Sequence, residues 1–114
     1  MLVRKQRLTQ DRDFKLVLRR GRAFFSPAFR LKCLANQLPL SRFGLIVSSK
    51  ISKKATVRNR LKRQIRAIIR LDLKKIKPGY DLVISVKQPA LKFTYQQLAE
   101  ELVRGLKQLK LWSE

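Results

Sequence analysis

The side chains in this sequence best placed to act on another molecule are cations. Between Lys50 and Lys77 stand 12 lysines and arginines against one acid, Asp72. Guanidinium and ammonium groups at this density suit phosphate oxygens, and the planar guanidinium also stacks on bases. Acid–base or nucleophilic chemistry has far less to work with. None of the 114 residues is histidine, so there is no imidazole base, no Ser-His or Cys-His nucleophile and no imidazole zinc ligand. Acids are sparse, and the 58 positions between Asp13 and Asp72 hold none. A carboxylate site for hydrolysis or metal binding would need the fold to gather Asp13, Asp72 and Asp81. The lone cysteine, Cys33, has no cysteine or histidine to share a metal with and reads as a small core residue.

Charge over the whole chain repeats the message. Lysine and arginine total 28 and the acids 7, a formal net charge of +21. Such an excess persists when a polyanion neutralises it, with nucleic acid the first candidate and an anionic membrane surface the second. No stretch approaches the roughly 18 apolar residues of a membrane span. The start, Met1-Leu2-Val3-Arg4-Lys5, has no apolar signal core, which points to a cytoplasmic chain. The 45% hydrophobic content is enough for one core. We therefore expect one domain over residues 1–114, with 1–8 as a flexible basic lead-in.

The elements that must position these cations follow from periodicity. Thr9 to Arg20 reads as a helix, with Thr9 as N-cap, Asp11 and Asp13 in the first turn and Gly21 as the stop. Phe14, Val17 and Leu18 form its buried stripe. After Pro27 an alternating run sends Phe29, Leu31, Cys33 and Ala35 to one face and Arg30, Lys32 and Leu34 to the other, a half-buried strand. Residues 36–41 read as a turn and Phe43 to Ser49 as a second strand. Lys53 to Arg70 is a helix whose apolar stripe is Val57, Leu61, Ile65 and Ile68. Asn59, Arg63, Arg66 and Arg70 lie opposite that stripe, Arg58 and Lys62 on one flank and Arg60 on the other. Pro78-Gly79 breaks the chain before a third strand, Tyr80 to Lys87. Thr94, with Gln97 completing a capping box, opens a last helix that buries Leu98, Leu102, Leu106 and Leu109. Trp112 is expected to cap the core beneath it. The order is α-β-β-α-β-α, with a further short strand possible over Arg22 to Ser26, so the fold class is α+β: one sheet with helices packed on it.

The basic helix has two readings. A solvated charged face accounts for its amphipathicity but not for the missing counter-charges. An exposed helix normally interleaves Glu with Lys at three or four residues' spacing, and here like charges repel unless phosphates lie between them. Nucleic-acid binding is the better account. A second basic group runs from Arg4 to Arg22, either as ordinary surface or as part of the same interface. Arg30 and Lys32 either line a groove for a single strand or protect a sheet edge. Phe14 is either core or a stacking platform, and Ser48, Ser49 and Lys50 stand at a strand end where they could meet phosphate.

The run Ala55-Thr56-Val57-Arg58-Asn59-Arg60-Leu61-Lys62-Arg63-Gln64-Ile65-Arg66 closely resembles the RNR signature of the bacterial ribonuclease P protein subunit. Arg7-Leu8, Asp13-Phe14 and Gly21, then Phe43-Gly44-Leu45-Ile46-Val47-Ser48 and Gly79-Tyr80-Asp81-Leu82-Val83, also fall where that family has them. The resemblance implies an α/β fold with a left-handed βαβ crossover, against the usual hand. It implies a large catalytic RNA as partner and cleavage of precursor transfer RNA at its 5′ end, with Mg2+ held mainly by the RNA. Contacts to that RNA would fall to Arg58, Asn59, Arg60, Lys62, Arg63 and Arg66. A cleft between the first helix and the sheet would hold the 5′ leader, with Phe14, Arg30, Lys32 and Lys50 as its candidate residues. Leu18 and Lys32 stand where some members carry Phe and Tyr, which suggests a cleft leaning more on charge. No catalytic or metal-ligating residue is expected in this chain.

The rival from another class is a structural RNA-binding protein of ribosomal type without a role in cleavage. A DNA-binding helix-turn-helix is disfavoured, because no second helix closely precedes the basic one. A membrane-active helix would need the stripe that the core requires.

Overall fold

The computed structural model describes residues 4–113. Three helices pack on one four-stranded sheet: α1 (Asp11–Arg20), β1 (Arg22–Phe25), β2 (Phe29–Ala35), β3 (Arg42–Ile46), α2 (Ala55–Asp72), β4 (Tyr80–Val86) and α3 (Tyr95–Gln108). The spatial order is β1-β2-β4-β3, with β3 and β4 parallel and the other pairs antiparallel. A parallel neighbour pair needs a crossover, and α2 supplies it. This is the α+β class expected, and the short strand over Arg22–Phe25 is real.

One sheet face carries the main core. Phe29, Leu31 and Cys33 of β2 and Leu82, Ile84 and Val86 of β4 meet Leu61, Ile65, Ile68 and Ile69 of α2 and Leu98, Leu102 and Leu106 of α3. Each such side chain taken fully out of water contributes roughly 1.5–3 kcal/mol before entropy is counted. Val57, expected in the stripe, is only half-buried, and Ile69 replaces it further along the helix. The capping box opening α3 is complete, with Thr94 Oγ1 accepting from Gln97 N–H at 3.1 Å and Gln97 Oε1 from Thr94 N–H at 2.9 Å. Trp112 packs on this core and bridges to Ile76.

The opposite face holds a smaller cluster, Leu8, Val17 and Val83, with Phe14, Leu18, Leu34 and Ile46 packed around it. Helix α1 lies there. It begins at Asp11, with Gln10 rather than Thr9 at the N-cap and no side-chain cap bond. The reason is tertiary: Leu8 N–H donates to the Phe43 carbonyl at 2.8 Å and Arg7 bridges to Phe43, so β3 sets where the chain turns into the helix. Of the basic lead-in over residues 1–8, Met1 to Val3 lie outside the described residues. The rest is seated rather than loose, with Gln6 and Leu8 buried.

Gly21 does end α1, though with an extended backbone at φ −71°. It is needed for space, since a Cβ there would lie 2.5 Å from the Val17 carbonyl oxygen and 2.9 Å from that of Cys33. Ala35, expected to face the core, is exposed at the strand end. Strand β3 stops at Ile46 rather than Ser49, because its last partner on β4 is Ser85 and the chain then turns towards α2. Among the described residues no helix is long and apolar enough to cross a membrane.

Candidate nucleic-acid interface

Helix α2 buries its aliphatic stripe and turns the opposite side outward. There Asn59, Lys62, Arg63, Arg66, Ala67, Arg70 and Leu71 line a shallow groove of about 700 Å3. Cations form its walls, while Ala67 and the exposed Leu71 give it apolar surface. Among the described residues, no salt bridge joins a carboxylate to any cation of α2. Four of the six expected RNA contacts meet in this groove: Asn59, Lys62, Arg63 and Arg66. Arg60 is exposed but stands outside it. Arg58 is turned inward, its guanidinium donating to the Ser52 carbonyl at 2.7 Å and holding the loop before the helix.

A second, smaller hollow of about 210 Å3 lies at the β3 edge, where the N-terminal segment, α1 and α2 converge. Arg7, Leu8, Phe14, Gly44 and Arg66 are among its lining. Phe14 lies directly over Gly44: a Cβ on that glycine would come within 2.4 Å of the ring. Only a glycine leaves room for the aromatic at this height. Phe14 is half-buried, so it is both packing for α1 and an available ring edge. Arg66 borders this hollow as well as the outer groove, which joins the two.

The four candidate cleft residues do not form one cluster. Lys32 donates its ammonium to the Leu18 carbonyl in the last turn of α1, a cation placed where the helix dipole favours one. Arg30 lies one step along, in a half-buried row with Ser85 of β4 and Ile46 of β3. Lys50 is exposed in the loop that follows β3.

Of the three acids that a carboxylate site would need to gather, two meet and one does not. Asp13 and Asp81 do approach each other, but around a cation: Arg42 Nη2 is 2.7 Å from Asp81 and its Nη1 is 3.5 Å from Asp13. Asp81 also accepts from the Asn36 amide at 2.9 Å. The hydrogen bond to Asp81 holds the Arg42 pKa above its ordinary value. Asp72 stands apart at the end of α2. Among the described residues no three His, Cys, Asp or Glu side chains converge as for a metal ion. Burial pushes the Cys33 thiol pKa up, with Arg22 opposing it, so the thiol stays protonated as a core residue does.

A model of the ribonuclease P family matches residues 2–110. The chain belongs to the ribonuclease P protein family. It is 44% identical over 97 residues to the ribonuclease P protein component of Synechocystis, covering 84% of this chain and 78% of that one. Against the corresponding Cyanothece protein it is 36% identical, with 97% of both chains covered. The ribonuclease P protein of Staphylococcus aureus superposes with a TM-score of 0.86 at 27% identity, covering 95% of this chain and 98% of that one. That of Thermotoga maritima gives 0.79 at 30% identity, covering 86% and 92%. The ribonuclease P likeness carried by the RNR run therefore extends across both cationic hollows and the fold that places them.

Two cations lining these hollows, Arg70 and Arg7, are not among the six contacts that the resemblance implies. Arg70 was on the correct helix face, and the wheel itself carried the signal. Arg7 required knowing that the N-terminal segment docks on β3.

Proposed function

We propose that this chain is the protein subunit of a ribonuclease P holoenzyme, binding its catalytic RNA and the single-stranded 5′ leader of precursor transfer RNA. The observation that carries this reading is Arg66, shared by the groove on α2 and the hollow around Phe14. One carboxylate-poor surface thus offers cations to a large RNA on α2 and an aromatic edge beside them to a second strand. The chain's part is electrostatic. Arg63, Arg66, Arg70 and Lys62 neutralise phosphates where two RNA segments approach each other, and Phe14 offers its ring edge to the leader. Mg2+, held mainly by the RNA, supplies the hydrolytic chemistry.

Reconstitution tests this reading. With its cognate RNA, the chain should lower the Mg2+ concentration needed to cleave precursor transfer RNA and should favour precursor over mature transfer RNA in binding. A chain that leaves the Mg2+ requirement unchanged and instead co-purifies with ribosomal RNA would overturn the proposal in favour of a structural RNA-binding role.

A further inference from the structure

A half-buried row of the sheet runs from Ile46 through Ser85 and Arg30 and ends, at the β1 edge, on the exposed Phe25. Arg30 and Phe25 are directly opposed in register, so their side chains share that face. Phe25 is 63% exposed. Core packing does not explain it, because its neighbour Phe24 does that work on the other face, against Gly105 and Leu31.

Three features around Phe25 point to a ligand. Among the described residues, the Nε of Arg30 is buried with no hydrogen-bond partner. Lys87 Nζ donates to the Ser26 carbonyl at 2.9 Å and so stands 5.7 Å from the centroid of the Phe25 ring. That is near the outer limit for a cation over an aromatic face and leaves the ring largely open. Among the described residues, no carboxylate forms a salt bridge with Arg30 or Lys87. An open aromatic ring flanked by cations is how proteins hold a single nucleic-acid strand, bases stacking on the ring and phosphates meeting the charges. A membrane or an acidic protein would also answer the charge, and a single strand is favoured because membership of the ribonuclease P family implies an RNA partner.

We infer that Phe25 is a base-stacking residue that fixes a distal nucleotide of the 5′ leader, with Lys87 and Arg30 holding the adjoining phosphates. The inference rests on the function proposed above and assigns one end of the leader's path. Phe14 sits over β3 and Phe25 on β1, three strand spacings or roughly 15 Å across the sheet. A leader that ends at the first ring therefore does not reach the second. Leader length becomes the variable that reports on Phe25.

The test uses the reconstituted holoenzyme with precursor transfer RNAs whose leaders grow one nucleotide at a time. In the wild type, affinity should rise as the leader lengthens to Phe25 and then level off. Phe25→Leu, which keeps apolar bulk on an exposed site, should leave Tm and short-leader affinity unchanged and weaken long-leader binding about five- to tenfold. Phe25→Tyr should restore it. A 2-aminopurine base placed at each leader position in turn should be quenched at one position in the wild type and in Phe25→Tyr, and released in Phe25→Leu. A wild type indifferent to leader length would overturn the leader reading together with this inference. A wild type that responds to length while Phe25→Leu responds equally would overturn the Phe25 assignment alone. So would a change in self-association of Phe25→Leu with every RNA readout intact, which would make the ring a protein contact.

Discussion

Residues of one type, on one helix, have different jobs here. Arg63 is exposed in the outer groove, and Arg60 is exposed beside it. Replacing either with alanine removes at most one phosphate contact. RNA affinity should fall, and the slope of log affinity against log salt should lessen by about one unit per arginine. Fluorescence titration at several salt concentrations measures this, and an unchanged slope for both would remove α2 from the interface. Arg58 should behave otherwise. Its guanidinium holds the Ser52 carbonyl, so Arg58→Ala should lower Tm, with a loss of about 1.5–3 kcal/mol. Its salt slope should change less than that of Arg63→Ala. Lys32 likewise spends a donor on the Leu18 carbonyl, which makes it a clamp on the end of α1 before it is anything to RNA.

At the scale of elements, the function depends on how α1 sits on the sheet. Two glycines allow its close approach: Gly21, against the Val17 and Cys33 carbonyls, and Gly44, beneath Phe14. A methyl group on Gly44 meets an aromatic ring, which can swing, whereas one on Gly21 meets backbone, which cannot. Gly44→Ala should therefore fold, at a cost of about 1–3 kcal/mol from overpacking, with Phe14 displaced. The expected outcome is a selective loss of precursor-over-mature discrimination with affinity for the catalytic RNA retained. Equal losses for both ligands would mean that Phe14 serves packing alone. Helix α2, in contrast, is fixed by the core on its other side, and its outward face is whatever the stripe leaves free.

For the whole molecule, a net charge of +21 sets a standing repulsion that the few carboxylates are positioned to offset. Asp81 is the central one. It is buried, bidentate to Arg42 at 2.8 and 2.7 Å and bonded to Asn36, while Arg42 also reaches Asp13 on α1. This network ties α1, β3, β4 and the turn after β2 into one unit. Asp81→Ala leaves the half-buried Arg42 guanidinium with Asp13 as its remaining carboxylate partner among the described residues. It should cost about 3 kcal/mol and lower Tm on the order of 10 °C, measured by thermal unfolding. Asp81→Asn should cost less, since it keeps part of the hydrogen bonding. Bound RNA should restore much of the lost Tm in either variant, because ligand binding to the folded state alone stabilises it.

Patterns that depend on near neighbours were legible in the sequence. The alternation of β2, the stripe of α2, the capping box of α3 and the concentration of positive charge on one helix face all arise from spacing along the chain. So did the RNR run, and with it the family. Contacts between distant segments were not legible. Asp13 and Asp81 are 68 positions apart and meet only because α1 crosses the sheet. A helical wheel puts Arg58 on a flank and Arg63 on the outer face, but only the loop folded back before α2 gives Arg58 a carbonyl to hold. Phe24 and Phe25 are the same residue type side by side, yet register with β2 sends one to the core and leaves the other open beside Arg30. The sequence by itself determined that this is a strongly cationic RNA-binding chain of the ribonuclease P protein family, because residue type, local period and the RNR run are enough for that. Which cations face outward, and which aromatic stands beside them, was decided by strand register and helix crossing, since those are set by long-range burial and not by any neighbour along the chain.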